Sequence, residues 1–259
     1  MTYETLMLHV SARVAWITVN RPDRRNALNA TVRRELVDVL DALRRTEDVR
    51  VVVLTGAGDK AFVAGADLHE FAERSPLEQR SVMEERRVFD ELAGYPLPTI
   101  AMINGYALGG GCELALACDL RVAARSAKLG QPEIRLGMLP GGGATQRLPR
   151  LVGYGKALQL ILSGELVDGV SAYEIGLLDE VVPASELRER TLEIARSMAE
   201  KSPVTLALAK RALRAAYEMP LSAGLAHERD LFALAFATED KEEGVRAFLE
   251  KRPPEWKGR

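Results

Sequence analysis

The chain has 259 residues, with 35 Lys and Arg against 37 Asp and Glu for a formal net charge of −2. Apolar residues make up 47% and charged residues 28%, ordinary values that exclude a disordered polymer, a collagen-like fibre and a disulfide scaffold. The near-neutral balance argues against a dedicated nucleic-acid binder, which carries a marked basic excess, and the length suits one sizeable core with an appendage.

Taken in order, Thr5–His9 and Arg13–Val19 read as the two strands of a hairpin. The polar turn NRPDRRNALNA follows. From Ala30 to Arg45 the apolar residues Val32, Leu36, Leu40 and Leu43 recur at helical spacing. Arg50–Thr55 (RVVVLT) is a continuous apolar run of strand length, the pattern of a buried parallel strand. Gly56–Ala66 reads as a small-residue loop, and helical patterns fill Asp67–Ala93. Thr99–Ile103 is a second buried strand, GYALGGG opens into an apolar helix Cys112–Cys118, and Asp119–Ala124 is one more strand. This alternation predicts an α/β architecture with parallel strands.

Beyond about Ser185 four helical patterns follow one another without a strand. One has a marked start, with Ser202 as cap and Pro203 at the first helical position. The chain therefore divides into an α/β core at 1–184, which carries the candidate site, and a helical region at 185–259. Leu231, Phe232, Leu234, Phe236 and Phe248 of that region must be buried on the body or on a neighbouring subunit. The uncharged run Leu92–Cys112 is long enough to span a bilayer, but Pro96, Pro98, Asn104 and five glycines break it into loop, strand and turn. Glu4, His9 and Arg13 interrupt the N-terminal apolar residues, so no signal peptide is expected. Cys112 and Cys118, with His9, His69 and His227, match no metal-ligand spacing. The expectation is a protein of the reducing cytoplasm without a metal site.

GAGDKA (Gly56–Ala61) follows a strand and fits the dinucleotide fingerprint, yet FVAGAD places another glycine where the phosphate-binding helix should run. The favoured reading is a flexible strand-to-loop turn, which explains these glycines without a cofactor. Two other glycine-rich loops are more informative: FVAGAD (Phe62–Asp67) and GYALGGGCE (Gly105–Glu113) each follow a buried strand and lead into a helix. Backbone N–H groups at helix starts have no internal partner and carry positive potential. Two such loops side by side make an oxyanion hole for a carbonyl that becomes an enolate. Glu113 lies one helical turn after Gly110, beside the donor. Glu133, in GQPEIRLGMLPGGG, supplies a second carboxylate, and two carboxylates can divide the roles of general base and general acid.

In the segments NRPDRRNALNA, AFVAGADL, PTIAMINGYALGGGCELALACDLRVA and AKLGQPEIRLGMLPGGGATQRLPRLVG, the sequence resembles the enoyl-CoA hydratase (crotonase) superfamily. The resemblance implies a spiral of β-β-α units followed by a C-terminal helical region that mediates trimerisation, often as dimers of trimers. It implies oxyanion donors at the backbone N–H of Ala66 and Gly110 and catalytic glutamates at Glu113 and Glu133. It implies a substrate site at Ala64, Ala66, Asp67, Leu68, His69 and Gly110, with His69 where hydratases often carry Lys.

Members with other chemistry commonly replace one or both glutamates; this chain keeps both. The implied activity is addition of water across the C2=C3 bond of a 2-trans-enoyl-CoA, as in fatty-acid β-oxidation or related acyl-CoA degradation. Glu113 would activate the water and Glu133 would protonate C2. No cofactor is implied, because coenzyme A enters as part of the substrate; the implied partners are the acyl-CoA and further copies of the chain, with no nucleic acid and no membrane. Arg24, Arg25, Lys60 and Lys257 are candidates for the CoA phosphates, none assigned.

On the same fold the alternatives are isomerisation, or hydration of a branched or carboxylated enoyl-CoA. From a different class comes an RNA- or nucleotide-binding protein, since one branch of the superfamily is known for RNA binding. Against it, Thr31–Arg50 mixes five arginines with five acidic residues and forms no basic stripe.

Overall fold

The computed structural model describes residues 2–72, 74–85 and 87–259. β1 (Leu6–Ser11) and β2 (Val14–Val19) form the expected antiparallel hairpin. Its two turn residues, Ala12 and Arg13, both adopt positive φ, the twist that a two-residue hairpin favours. α1 (Ala30–Arg44) is capped by the Asn29 side chain, which accepts from Val32 N–H, and it buries Val32, Leu36, Leu40 and Leu43 as their spacing requires. β3 (Val51–Gly56) pairs with β2 in parallel.

The Gly56–Ala66 segment is not all loop: β4 (Ala61–Val63) lies within it. The helical reading of 67–93 resolves into a 3-10 turn at Leu68–Glu70, α2 (Pro76–Glu84) and α3 (Val88–Ala93). Two residues of that stretch, Glu73 and Arg86, lie outside the described residues. β5 (Thr99–Ile103) is followed by a further short strand, β6 (Tyr106–Leu108), before α4 (Gly110–Ala117) starts two residues earlier than expected. β7 (Leu120–Ala124) and the short β8 (Lys128–Gly130) repeat the pattern, leading through a 3-10 turn at Pro132–Leu136 to α5 (Ala144–Val152) and α6 (Tyr154–Ser163). β9 (Leu166–Asp168), α7 (Gly169–Glu174) and β10 (Glu180–Val182) complete the α/β part.

The strands form two sheets. The larger has the order β1-β2-β3-β5-β7-β10 and the smaller β4-β6-β8-β9. Three successive turns, β3–β4, β5–β6 and β7–β8, each place one long strand in the first sheet and one short strand in the second before a helical segment, which is the expected spiral of β-β-α units. A β-strand alternates its side chains between faces. Val52, Leu54, Ala101, Ile103 and Ala123 enter the main core, whereas Val51, Val53, Ile100, Met102 and Val122 enter a second core. α8 (Leu187–Ala199) closes that second core with Leu187, Ala195 and Ala199. With both faces covered, these strands are largely apolar, and the polar side chains they do bury, such as Arg121 and Thr55, are hydrogen-bonded.

α9 (Pro203–Glu218), α10 (Leu221–Phe236) and α11 (Glu239–Leu249) follow without a strand. Ser202 accepts from Thr205 N–H with Pro203 at the first helical position, as its sequence predicts. The body holds this region through Lys210, which pairs with Asp119 at 2.6 Å and donates to the Leu97 carbonyl at 3.0 Å. Leu213, Leu221, Phe232, Phe236 and Phe248 are exposed. Among the described residues no helix is long and apolar enough to cross a membrane.

Candidate active site

The spiral brings the starts of successive turns together. The NRPDRRN turn is pinned by Asn26, buried and in the left-handed region at φ 58°. Its side chain accepts from Arg21 N–H and donates to the carbonyls of Ala57 and Ala61. Gly56 is glycine because a Cβ would stand 2.2 Å from both the Ala61 and Phe62 carbonyl oxygens. In the dinucleotide-like GAGDKA the chain itself thus fills the space at Gly56, while Gly58, Asp59 and Lys60 form an exposed turn.

After β4, the chain bridges to Leu28: Leu28 N–H donates to the Gly65 carbonyl, and Asp67 N–H donates to the Leu28 carbonyl. A parallel bridge of this kind uses the groups of residues 65 and 67 and leaves Ala66 N–H facing the other way. Gly110 is the first residue of α4, where an N–H has no intrahelical acceptor. Neither N–H has an acceptor among the described residues. They are neighbours, since a Cβ on Gly110 would stand 3.7 Å from the Ala66 nitrogen.

The close approach of α4 to β4 depends on Gly111. A Cβ there would lie 1.9 Å from the Val63 carbonyl oxygen, which is backbone and cannot rotate away. Gly111→Ala is expected to lower stability by about 1–3 kcal/mol or more, read as a lower urea midpoint at constant m. An unchanged midpoint would mean that α4 slides freely from β4.

Glu113 sits one turn into α4, only 3% exposed. Its Oε1 accepts the N–H of Gly142 at 2.6 Å and of Ala144 at 3.0 Å. Ala144 opens α5, so the carboxylate lies on the positive end of a helix. Burial nonetheless pushes its pKa up, with the Ala144 and Gly142 N–H groups pulling back. Glu133, in the 3-10 turn after β8, comes against the N-cap of α4: a Cβ at Gly109 would stand 2.6 Å from its Oε1. Oriented to satisfy both of its ends, the buried Gln131 amide donates to both Glu133 oxygens at 3.3 Å. Burial, with a smaller push from the Glu113 charge, raises the Glu133 carboxyl to about 7. Burial raises both carboxyls; at Glu113 the two N–H groups at a helix start pull back toward the anion, whereas half-buried Glu133 also feels the Glu113 charge and rises to about 7.

Both carboxyls line a cleft of about 1300 Å³, together with Ala64, Ala66, Leu68, Gly109 and Gly110. Its remaining wall is largely apolar, with Val37, Phe71, Met83, Phe89, Met138 and Leu139. Ala64, Ala66, Leu68, Gly110, Glu113 and Glu133 thus stand together, as the sequence anticipates. Asp67 and His69 do not line the cleft: Asp67 turns away to pair with Arg21 at 3.2 Å, and His69 lies exposed in the 3-10 turn. Of the basic residues considered from the sequence, Arg24, Arg25 and Lys60 are exposed and do not line the cleft, and Lys257 pairs with Glu239. The cleft is lined instead by Arg33, Arg34, Arg74 and Arg87, which carry no motif and were missed. Among the described residues no cluster of three or more His, Cys, Asp or Glu side chains could hold a metal ion.

The comparisons with known proteins agree with this geometry. The family description Enoyl-CoA hydratase/isomerase matches residues 9–259. The chain is 46% identical to the 2,3-dehydroadipyl-CoA hydratase of Escherichia coli (strain K12), covering 98% of this chain and 99% of that one. It is 42% identical to the crotonyl-CoA hydratase of Syntrophomonas wolfei, over 97% of each. The crystal structure of an enoyl-CoA hydratase from Bacillus anthracis superposes with a TM-score of 0.94 at 41% identity, covering 99% of this chain and all of that one. With both glutamates and both free N–H groups converging on one cleft, and relatives matching from end to end, the chain belongs to the enoyl-CoA hydratase/isomerase family.

Proposed function

We propose that this protein is an enoyl-CoA hydratase, a hydro-lyase that adds water across the C2=C3 bond of a 2-trans-enoyl-CoA to form a 3-hydroxyacyl-CoA. One observation carries the reading: two carboxyls, one of them bonded by backbone N–H groups at a helix start, stand in one cleft beside a pair of unpartnered backbone N–H groups. The thioester oxygen sits between the N–H groups of Ala66 and Gly110, where α4 adds the field of its N-terminus as the oxygen gains charge. Glu113, ionised, takes a proton from the water that adds to C3. Glu133, protonated, delivers the proton to C2. These are all groups of the chain, so the reaction needs no cofactor beyond the coenzyme A of the substrate.

Arg33, Arg34 and Arg74 are the cations that line the cleft on the side of α1 and the 3-10 turn, and they are suited to the CoA phosphates. The exposed apolar face of α9–α11 is suited to burial against further copies of the chain as a trimer or a dimer of trimers, which gives 185–259 its oligomerisation role.

The direct test is loss of the conjugated enoyl-thioester absorbance of crotonyl-CoA, followed across pH. Because the reaction needs Glu133 protonated and its carboxyl titrates near 7, kcat/KM is expected to fall about tenfold per unit once pH passes well above that value. A rate that climbs steadily through pH 9 would reverse the assignment of acid and base. A panel of longer, branched and carboxylated enoyl-CoAs, including 2,3-dehydroadipyl-CoA, then ranks the acyl chains.

A further inference from the structure

We propose that Arg87, Arg147 and Asp90 form a clamp that positions and tunes the Glu113 carboxylate through the glycine loop 141–143. The inference rests on the role of Glu113 as the base in the reading above.

The loop Gly141-Gly142-Gly143 has one job on each side of its backbone. On one side, the N–H of Gly142 and the N–H of Ala144 hold Glu113 Oε1. On the other, Arg87 Nη2 donates to the Gly141 carbonyl at 2.7 Å, and Arg147 Nη1 donates to the Gly142 carbonyl at 2.9 Å. The Gly141 carbonyl and the Gly142 N–H belong to the same planar peptide unit. A permanently charged guanidinium on the oxygen polarises that unit and strengthens the donor at its other end. Asp90 links the two arginines, accepting from Arg147 Nη2 at 3.1 Å and lying 3.8 Å from Arg87 Nε.

Packing demands glycine at 142 and a φ of 113° favours it at 143, and so much glycine creates the need for a clamp. A Cβ at Gly142 would stand 2.6 Å from Glu113 Oε2 and 2.9 Å from Phe89 Cζ, and one at Gly143 would stand 2.2 Å from Arg147 Nη1. Three consecutive glycines have no side chains to lock their peptides and lose the most conformational freedom on ordering. The arginine bonds supply the rigidity that the glycine backbone lacks, at the place where the base must be held to a fraction of an ångström.

The charged and titratable groups around Glu113 are few. Arg87 and Asp90 come from the start of α3, Arg147 from α5, Glu133 from the 3-10 turn, and Cys112 from α4 itself. Arg87 favours the ionised form of Glu113, and Cys112 is buried as a neutral thiol, its pKa pushed to about 12. Arg87 and Arg147 touch no reacting atom in this scheme; they are positioning residues.

The test uses the full-length protein with Arg87→Gln, Arg147→Gln and Asp90→Asn, the last at an exposed position where folding is not at stake. kcat and KM for crotonyl-CoA are measured across pH. In parallel, carbon-13 NMR of δ-labelled glutamate follows the titration of Glu113, its signal identified by its loss in Glu113→Gln. The expected result is a kcat lower by about 3–30-fold in each variant with KM changed by less than about threefold. In Arg87→Gln the Glu113 midpoint should also move up by about half a unit to one unit, and Arg87→Lys should recover most of that shift. An unmoved midpoint in Arg87→Gln, or a rise in KM at constant kcat, would overturn the clamp and assign the arginines to substrate binding. If the wild type fails to hydrate crotonyl-CoA, the hydratase reading falls, and the NMR midpoint still decides the clamp by itself.

Discussion

Glu133→Gln is expected to cut the turnover of crotonyl-CoA by about 10²–10⁴-fold and, at the same time, to make the protein more stable above neutral pH. Both effects have one origin. The Glu133 carboxyl is pushed from its ordinary 4.5 to about 7 because its charged form is costly in the wall of the cleft. A carboxyl whose folded-state pKa lies above its unfolded value lends stability below the unfolded value. That contribution is lost as pH rises through the folded one. The wild type therefore loses stability between about 4.5 and 7, while the glutamine variant, which never ionises, does not. The gap should reach at most about 3 kcal/mol, reduced because Glu133 is only half-buried. Thermal unfolding at pH 5 and pH 8 reads it directly: similar Tm values at the lower pH, and a variant a few degrees more stable at the higher. A variant less stable at both would mean that Glu133 is held by contacts more favourable than its burial is costly. Stability surrendered at a reactive group is the usual trade at an active site.

Gly110→Pro is expected to lower turnover by about 10²–10³-fold, the effect of removing one oxyanion donor, while leaving the fold in place. Proline lacks the N–H that Gly110 presents to the cleft, and its ring would occupy the space where the thioester oxygen binds. Gly110 is the first residue of α4, where proline is accommodated because that N–H has no intrahelical bond to lose. The Cβ also finds room, since at Gly110 it meets Leu28 Cδ1 at 3.4 Å and the Ala66 nitrogen at 3.7 Å. Circular dichroism and Tm should stay near wild type while the absorbance assay loses its signal. Near-normal turnover in a folded variant would remove Gly110 from the oxyanion pair. A collapsed Tm would place its role in packing.

Much of the fold was legible in the chain. β3, β5 and β7 are runs of five or six residues whose two faces are both covered, and α1 shows its buried stripe at helical spacing; periodicity needs that length to register. β4, β6, β8, β9 and β10 have three residues each, too short for alternation to stand out from a loop. Their strand character comes from neighbours supplied by other turns of the spiral. The sequence therefore showed one parallel sheet, and the second sheet emerged only from the pairing.

The site divides in the same way. The loops FVAGAD and GYALGGGCE, with Glu113 one turn after Gly110, could be picked out by residue type at a strand end and a helix start, whereas Ala66 as a donor and Glu133 as the acid rested on the family resemblance. Which way a side chain turns depends on the residues packed against it. Asp67 is adjacent to Ala66 in sequence, yet its carboxylate goes to Arg21 and the NRPDRRN turn. The bonds that set the state of Glu113 come from Gly142 and Ala144, about thirty residues onward. The arginines behind that loop come from two different helical segments. Sequence by itself determined the chemical groups, since residue type and local backbone conformation are properties of short segments. Tertiary structure alone decided their partners, burial and protonation, because those depend on what long-range packing places within a few ångströms.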